Sequence, residues 1–334
     1  MSERKSESKK LALLYLRELF LEKTDSTHYI RMPEILEYLA ERNVYVDRRT
    51  VYTDISLLNQ SGFEITGVQE KGGYKYHHAE RLFDTAELKF LTDAIYASKF
   101  LTEGISKELI TKVKSLGSKY ENTAINRNIL SNRRVKSMND KVFDNLDQLH
   151  EAISFNSQIT FQYMHWNIQR ELEPNKCGMQ YKASPCAISL SDDNYYMIAY
   201  DEEWDCLRHY RVDKMNDIQL TQEPRKGETI FKPLDMVGYS RKTFNMFNGR
   251  EETVTIEAAN HLAGVFIDRF GESVSLRKNE KNPDTFLARV AVHVSPKFYA
   301  WVFGFGKDAA IVSPEPVRQE FINMAEELLA NYKD

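Results

Sequence analysis

Three helical stripes followed by two strand-like runs mark residues 1–80. Apolar residues recur at close to helical spacing over residues 9–22, which predicts a first helix. A second helix is predicted to open at Pro33, a favoured first helical position, and to end near Arg42. Asp47 is a good N-cap for a third helix that Gly62 would end. The apolar stripe of this third helix consists of Val51, Ile55 and Leu58.

A β-hairpin is predicted directly after the third helix. Residues 63–68 and 74–77 read as two short strands, and Gly72 and Gly73 permit a tight turn between them. Three helices with a short turn before the third, followed by a hairpin, is the element order of a winged helix-turn-helix. We therefore assign residues 1–80 to a DNA-binding domain of that fold.

The remaining pattern divides the chain into four further segments. Residues 81–140 are mostly helical and are predicted to form a helical linker. Residues 141–222 begin with one helical stripe and continue as closely spaced short strands, which suggests a small barrel. Residues 223–250 contain proline and glycine and read as a looser linker. Strands and helices are mixed over residues 251–334, so the fold class is multidomain α+β.

Two neighbouring strands carry a candidate anion site. β-Branched and aromatic residues dominate residues 195–201 and 208–214, with a polar turn between them. Since strand side chains alternate between faces, His209, Arg211 and Asp213 are predicted to share one face of the second strand. An imidazole beside a guanidinium suits an anion, above all a phosphate. The same alternation also fits a solvated strand face or an internal ion pair with Asp213. Periodicity alone does not decide between these and an anion site.

The outer side of the third helix is rich in hydrogen-bond donors. With the apolar stripe facing inward, the side chains of Arg49, Thr53 and Ser56 point away from the core. Such side chains reach base edges and phosphates when a recognition helix enters the major groove. The residues predicted to contact DNA are Arg48, Arg49, Thr50, Tyr52, Thr53 and Ser56 on the helix and Lys71 and Lys75 on the hairpin. Alternatively, the two arginines only solvate the helix start, although basic residues there oppose the helix dipole.

Composition narrows the class of protein. With 28% charged and 12% aromatic residues the chain is globular, and a net charge of −4 confines any nucleic-acid surface to a local patch. Three cysteines without a CxxC pair argue against a disulfide framework and a zinc ribbon and favour a reducing, cytoplasmic setting. The scattered histidines give no metal-ligand spacing, and no uncharged run is long enough to cross a membrane. We expect no metal, no cofactor and no membrane contact.

Two parts of the sequence resemble known domain families. The run Tyr195-Tyr196-Met197 with Tyr200-Asp201, preceded by Ser184-Pro185 and followed by residues 208–215, resembles the WYL domain, named for a Trp-Tyr-Leu tripeptide. Only Tyr196 matches that tripeptide literally, while the flanking residues match better. Residues 301–306, with Pro314-Glu315-Pro316 and a closing helix, are similar to the C-terminal extension called WCX. Together with the N-terminal domain, the resemblance covers nearly the whole chain.

The resemblance implies an architecture and a ligand site. The architecture is a winged helix-turn-helix, a helical linker, an Sm-like or SH3-like WYL β-barrel and a ferredoxin-like WCX domain. Carried over onto this sequence, the implied ligand-binding residues are His209, Arg211, Tyr196, Ser184 and Lys214, with Tyr181 and Arg208 as weaker candidates. Cys186 stands where related chains often have an aromatic residue, which leaves the ligand open. Because one face of the first strand must fill the barrel, at least two of Tyr196, Ile198 and Tyr200 are expected to be core.

The function implied by the resemblance is that of a ligand-responsive transcription regulator. Such a protein reads double-stranded operator DNA, commonly as a homodimer, and senses a single-stranded nucleic acid or a nucleotide through the WYL domain. The alternative is an RNA-binding accessory or regulatory subunit of a phage-defence or CRISPR-type nuclease. We expect no enzyme, because His209 and Asp213 would lie about 13 Å apart along the predicted strand, too far for a catalytic dyad.

Overall fold

The chain forms two compact units, Met1–Met138 and Asn139–Asp334. The computed structural model describes residues 2–127, 136–231, 238–239, 242–247 and 249–332. Parts of the two predicted linkers, residues 128–135 and 232–237, therefore lie outside the described residues.

Unit 1 consists of helices around a small antiparallel sheet. The helices are α1 (Ser2–Lys23), α2 (Met32–Glu41), α3 (Arg48–Gln60), α4 (Thr85–Ala97), α5 (Glu103–Lys114) and α6 (Lys119–Arg127). The strands are β1 (Ile30–Arg31), β2 (Thr66–Glu70) and β3 (Gly73–His77), in the order β1-β3-β2. The three helices and the hairpin predicted for this part of the chain are confirmed. The prediction missed β1, because a two-residue strand is too short to show a periodic pattern.

The apolar stripes of α1, α2 and α3 meet in one core. Leu16 of α1, Ile35 of α2 and Val51 of α3 are fully buried there. Asp47 caps α3 as predicted, since its Oδ1 accepts a hydrogen bond from the Thr50 amide at 2.8 Å. The cap satisfies one of the free amides at the helix start and so fixes where the exposed face of α3 begins.

A buried carboxylate ties the loop between α1 and β1 to α6. Asp25 accepts hydrogen bonds from the amides of Thr27 and His28 at 2.9 Å each, and from the Ser118 hydroxyl at 2.9 Å. Nδ1 of His28 lies 2.8 Å from the same carboxylate, and the His28 ring stacks on Tyr120 with 3.6 Å between centroids. Burial raises the pKa of Asp25, but the hydrogen bonds outweigh burial and lower the pKa to about 2.

Asp25 is expected to make unit 1 sensitive to acid. Its pKa falls from 3.8 to about 2 on folding, which corresponds to about 2 kcal/mol of unfolding free energy. Because the folded-state pKa is lowered, this stabilisation is present above pH 4 and is lost as the pH falls from about 4 to 2. Asp25→Asn should therefore destabilise unit 1 at pH 7, measured by urea unfolding, and the loss should shrink in acid. Glu37→Gln, an exposed change on α2, is the control, and equal pH profiles for Asp25→Asn and wild type would contradict the expectation.

Unit 2 begins with a curled antiparallel sheet. Its first elements are α7 (Val142–Ser154), β4 (Ser157–Trp166), β5 (Leu172–Pro174), β6 (Tyr181–Ser191), β7 (Asn194–Asp201), β8 (Cys206–Arg211), β9 (Met215–Pro224) and α8 (Glu228–Phe231). The strand order is β5-β4-β6-β7-β8, and β9 pairs with β4 as well. Phe161 and Tyr210, from strands that are not neighbours, pack edge to face with 5.1 Å between ring centroids. That contact lies inside the curl, where it joins β4 to β8.

The second of the two strands that carry the candidate anion site ends earlier than the sequence pattern predicts. β8 stops at Arg211, and Val212–Lys214 form one turn of 3-10 helix. The side-chain amide of Asn145 on α7 fixes this turn by donating to the carbonyl oxygens of Val212 and Met215, at 3.1 and 2.9 Å. The predicted alternation of faces is therefore wrong beyond Arg211, and Asp213 and Lys214 leave the strand.

A second antiparallel sheet with helices packed on it follows in unit 2. Its elements are β10 (Arg250–Ala259), α9 (Ala263–Phe270), β11 (Ser275–Lys278), β12 (Thr285–Val294), α10 (Pro296–Phe303), β13 (Ala309–Ser313) and α11 (Glu315–Ala330), with strand order β11-β12-β10-β13. Val254, Phe266 and Phe298 are fully buried in its core. The α+β fold class is confirmed. Of the helices in the described ranges, none combines the length and apolar character needed to span a membrane.

Candidate functional site

Helix α3 presents a polar, exposed face in unit 1. Val51, Ile55 and Leu58 are buried as predicted, which turns the opposite side of the helix outward. The exposed residues of that side are Arg48, Arg49, Tyr52, Thr53 and Ser56, and Thr50 beside them is half-buried. Within the described part of the chain, neither arginine forms an ion pair. Their charges are therefore available to a partner outside the chain.

The hairpin beside α3 holds its two predicted lysines differently. Lys71 lies exposed at the tip, next to Gly72 and Gly73, whose φ angles of +112° and +118° favour glycine. Lys75 is only 23% exposed, and its Nζ donates to Glu70 at 3.1 Å. The sequence correctly predicted lysines on a glycine-tipped hairpin, but it did not predict that a carboxylate already engages one of them.

His209 of β8 is half-buried and contacts Tyr239. Its Nε2 lies 2.9 Å from the Tyr239 hydroxyl, and the two rings are 5.6 Å apart. The pKa of His209 is lowered to about 4. Burial is the main cause, and the nearby His293 acts in the same direction, whereas a hydrogen bond to the Met246 backbone raises the pKa. The imidazole is therefore neutral at pH 7. The expectation that His209 adds a hydrogen-bond donor for a phosphate stays a prediction.

Arg211, at the end of β8, forms a two-pronged ion pair with Asp213. Nε and Nη2 donate to the two carboxylate oxygens at 3.0 and 2.8 Å. The pair exists because the 3-10 turn brings Asp213 back towards the strand end. Of the interpretations that the sequence left open, the internal ion pair is the one observed. The Arg211 side chain is 34% exposed, so it remains in contact with solvent.

The other predicted ligand residues divide between the two faces of the sheet. Tyr196 lies opposite Arg211 in the β7–β8 ladder, and the two side chains share a face. Tyr181 lies on the inner face, 5.9 Å from the Tyr210 ring. Arg208 is two residues before Tyr210 on β8 and therefore lies on the inner face as well, opposite to the face of Arg211. The seven residues therefore do not all lie on one face of the sheet, and Tyr196 lies next to Arg211.

Two predicted residues are engaged within unit 2, and a third is half-buried there. Ser184 is buried, and its hydroxyl accepts a hydrogen bond from the Lys226 amide at 2.8 Å. Arg208 forms an ion pair with the buried Asp201 at 3.2 Å. Lys214 lies half-buried in the 3-10 turn. Ser184 and Arg208 thus have internal roles in holding β6 and β8.

At least two of Tyr196, Ile198 and Tyr200 were expected to be core; Ile198 is fully buried and both tyrosines pack against its cluster, but on the face opposite the one that fills the curl. The inner face of β7 is formed by the alternate residues, because Met197 lies opposite Tyr210, which contacts Phe161 inside the curl. Ile198 is fully buried on the other face, in a cluster with Leu207, Tyr239 and Met246. The period-two pattern was correct, but the sequence did not indicate that both faces of this strand would be covered.

A buried contact that the sequence did not reveal links the two sheets of unit 2. The ring of Tyr239 lies 5.0 Å from that of His293 on β12 as well as 5.6 Å from that of His209 on β8. Nδ1 of His293 is 3.3 Å from the Thr243 hydroxyl. Burial lowers the pKa of His293, so it is neutral at pH 7 too. No sequence signal could have found this group, because its members lie tens of residues apart.

The described residues show no metal centre. In the ranges that the structure describes, no three His, Cys, Asp or Glu side chains come together as ion ligands. Cys177, Cys186 and Cys206 are free thiols, and burial raises the pKa of Cys186 to about 11.

Comparisons with known proteins identify two domains. Residues 144–220 match the WYL domain and residues 250–329 match the WCX domain, which confirms both resemblances. The chain is similar to the solved structure of proteasome accessory factor B/C (PafBC) of Arthrobacter aurescens, with 16% identity and a TM-score of 0.30 over 98% of this chain and 49% of that one. A CRISPR Cas-related protein is similar with 15% identity and a TM-score of 0.35, over 97% and 83%. The chain thus spans about half the length of the PafBC structure, and no curated protein matches its sequence.

Proposed function

The chain contains a WYL domain followed by a WCX domain, and from this premise we propose that it is a DNA-binding transcription regulator. Residues 1–80 act as a winged helix-turn-helix that reads operator DNA, and residues 81–140 link it to the sensor. The curled sheet is an Sm-like or SH3-like barrel over residues 141–222, and residues 251–334 are a ferredoxin-like domain. The regulator works as a homodimer in the cytoplasm.

The exposed face of α3 is the observation that supports DNA reading. Its arginines, hydroxyls and one tyrosine are turned outward by a buried apolar stripe, and Asp47 fixes the start of the helix. Arginine at the start of a recognition helix suits guanine, and hydroxyl groups suit phosphates. The Tyr52 ring of α3 lies 6.5 Å from that of Tyr76 on β3, so the hairpin is packed against the same helix.

Tyr196 and Arg211 support ligand sensing by the WYL domain. They lie side by side on one face of the sheet, and both are partly exposed. An aromatic ring next to a guanidinium suits a base and its phosphate. An effector that draws Arg211 away from Asp213 would loosen the 3-10 turn between β8 and β9, and this turn would be the first element to respond.

Selection from genomic DNA tests the proposal. Purified protein is mixed with sheared genomic fragments, and the retained fragments are sequenced and then measured by fluorescence anisotropy. A homodimer should enrich half-sites related by two-fold symmetry, spaced by about 10 base pairs or a multiple of that. The selected duplex should bind roughly a thousandfold tighter than a shuffled duplex at the same salt concentration. Equal binding of the two duplexes would overturn operator reading.

A second function fits the same two domains, namely that of an RNA-binding accessory of a defence nuclease. Trp204, in the turn between β7 and β8, is 62% exposed, and the Arg208 guanidinium lies 5.7 Å from its ring centroid. An exposed indole beside a guanidinium offers an unpaired base a stacking surface. Adding single-stranded RNA of matched length to the anisotropy measurement separates the two functions, because preference for RNA over the selected duplex would favour this one.

Asp213→Asn is expected to raise the affinity of the protein for a fluorescein-labelled single-stranded oligonucleotide by about tenfold, since roughly 1.4 kcal/mol of ion-pair competition is removed. The physical reason is that Arg211 no longer has to leave a carboxylate in order to bind a phosphate. Asp217→Asn, an exposed change of equal charge on β9, is the control. Equal gains in the two variants would show a general charge effect, and no gain in either would remove Arg211 from the ligand site.

A further inference from the structure

One face of the three-stranded sheet in unit 1 carries two cations around a carboxylate. Arg31 of β1 lies opposite Lys75 of β3, and Lys75 lies opposite Val68 of β2. Glu70 follows Val68 by two residues and therefore shares its face of the sheet. Nη2 of Arg31 lies 3.3 Å from one oxygen of Glu70, and Nζ of Lys75 lies 3.1 Å from the other. One carboxylate is thus held between cations from two different strands.

Contacts other than Glu70 also position the two cations. The Arg31 amide donates to Glu34 at 2.8 Å in the capping box of α2, which fixes the backbone of Arg31. A side chain at position 72 would place its β-carbon 3.1 Å from Nη1 of Arg31. Gly72 therefore leaves room for the Arg31 guanidinium. Nζ of Lys75 lies 4.3 Å from the centroid of the Tyr29 ring. Without the carboxylate, Lys75 would keep its ring contact, and the backbone of Arg31 would stay in place.

The ion pairs around Glu70 are exposed and easily exchanged. Arg31 and Glu70 are 48% and 47% exposed. The hydrogen bond from Lys75 lowers the pKa of Glu70, with smaller contributions from the charges of Lys75 and Arg31, so the group is an anion at neutral pH. Exposed ion pairs contribute little to stability, and a carboxylate and a phosphate accept the same pattern of donors.

We propose that Arg31 and Lys75 form a phosphate-binding site on the sheet beside α3, and that Glu70 occupies this site as an internal substitute for the phosphate. The inference rests on the proposed function and deepens it. DNA binding exchanges Glu70 for a backbone phosphate, and the cost of the exchange is the same for every sequence. Glu70 thereby lowers affinity for all duplexes alike and leaves discrimination to α3.

The variant Glu70→Gln tests the exchange, because it keeps the size of the side chain and removes its charge. Duplex affinity at low salt should rise roughly fivefold for both the selected and the shuffled duplex, with their ratio unchanged. The slope of log affinity against log salt should steepen by about one unit, as for one additional phosphate contact. Glu64→Gln is the control, because Glu64 is an exposed carboxylate six residues earlier that belongs to no ion pair among the described residues.

Arg31→Gln completes the test as a double-variant cycle. In the Glu70→Gln background, Arg31→Gln should remove most of the gain, whereas it should have a smaller effect in the wild-type background. If Glu70→Gln and Glu64→Gln raise affinity equally, or if the effect of Arg31→Gln is the same in both backgrounds, the inference fails while the proposed function stands. If the wild-type protein binds no duplex at all, both the proposed function and this inference are wrong.

Discussion

Replacing both Arg48 and Arg49 with alanine is expected to weaken operator binding by at least about 30-fold, because each arginine contact to a base or a phosphate is worth about 1–3 kcal/mol. Both side chains are exposed at the start of α3, and neither forms an ion pair within the described residues, so their loss leaves the fold intact. The measurement is anisotropy with the selected and the shuffled duplex at several salt concentrations.

A double substitution elsewhere in unit 1 controls for the loss of two positive charges. Lys107 and Lys112 lie on α5, where they are 71% and 66% exposed and pair with Glu103 and Glu108 of the same helix. Lys107→Ala with Lys112→Ala makes the same change in net charge and should shift affinity little. Equal losses in the two double variants would show that α3 is not the reading surface.

Acid is expected to destabilise unit 2 through His209. Its pKa falls from 6.5 in the unfolded chain to about 4 in the fold, so the unfolded state binds more protons between these pH values. The stabilisation is complete above pH 6.5 and is lost as the pH falls towards 4, by up to about 3 kcal/mol. His293, whose pKa burial also lowers, acts in the same direction. Urea unfolding of the protein from pH 7 to pH 4 measures the effect.

His209→Gln separates this contribution from the rest of the chain. Glutamine offers an oxygen to the Tyr239 hydroxyl and an amide to the Met246 backbone but does not titrate, so the loss of stability towards pH 4 should become smaller. His150→Gln, on the exposed side of α7, should leave the pH profile unchanged. A profile for His209→Gln that matches the wild type would contradict the assignment of the acid sensitivity to His209.

Local signals predicted the N-terminal elements well. Asp47 was identified as a helix start from its position before an apolar stripe, and it caps its helix. A cap acts within four residues of its own backbone, so the sequence contains all the information that it needs. The face of α3 followed in the same way from its three buried apolar residues.

Signals that depend on distant residues could not be read from the sequence. The end of β8 is set by Asn145, a residue of α7 whose side chain reaches the carbonyl of Val212. Period-two alternation placed His209 and Arg211 on one face, but it could not show that Tyr239 covers one of them and Asp213 binds the other. The ion pair between Lys75 and Glu70 could not be read from the sequence either. Glu70 lies across the hairpin turn from Lys75, and Arg31, which also pairs with Glu70, comes from a strand too short to predict.

The contact of Tyr239 with two histidines bears on how many independent folding units the chain contains. One phenol ring belongs at once to the packing of His209 on the first sheet of unit 2 and of His293 on the second. Separating the sheets would break the packing of the Tyr239 ring on at least one of the two imidazoles, and the loss of this packing is unfavourable. Although two domain families meet in this unit, we expect the shared ring to couple their unfolding, so that a mutation at the junction weakens both halves together.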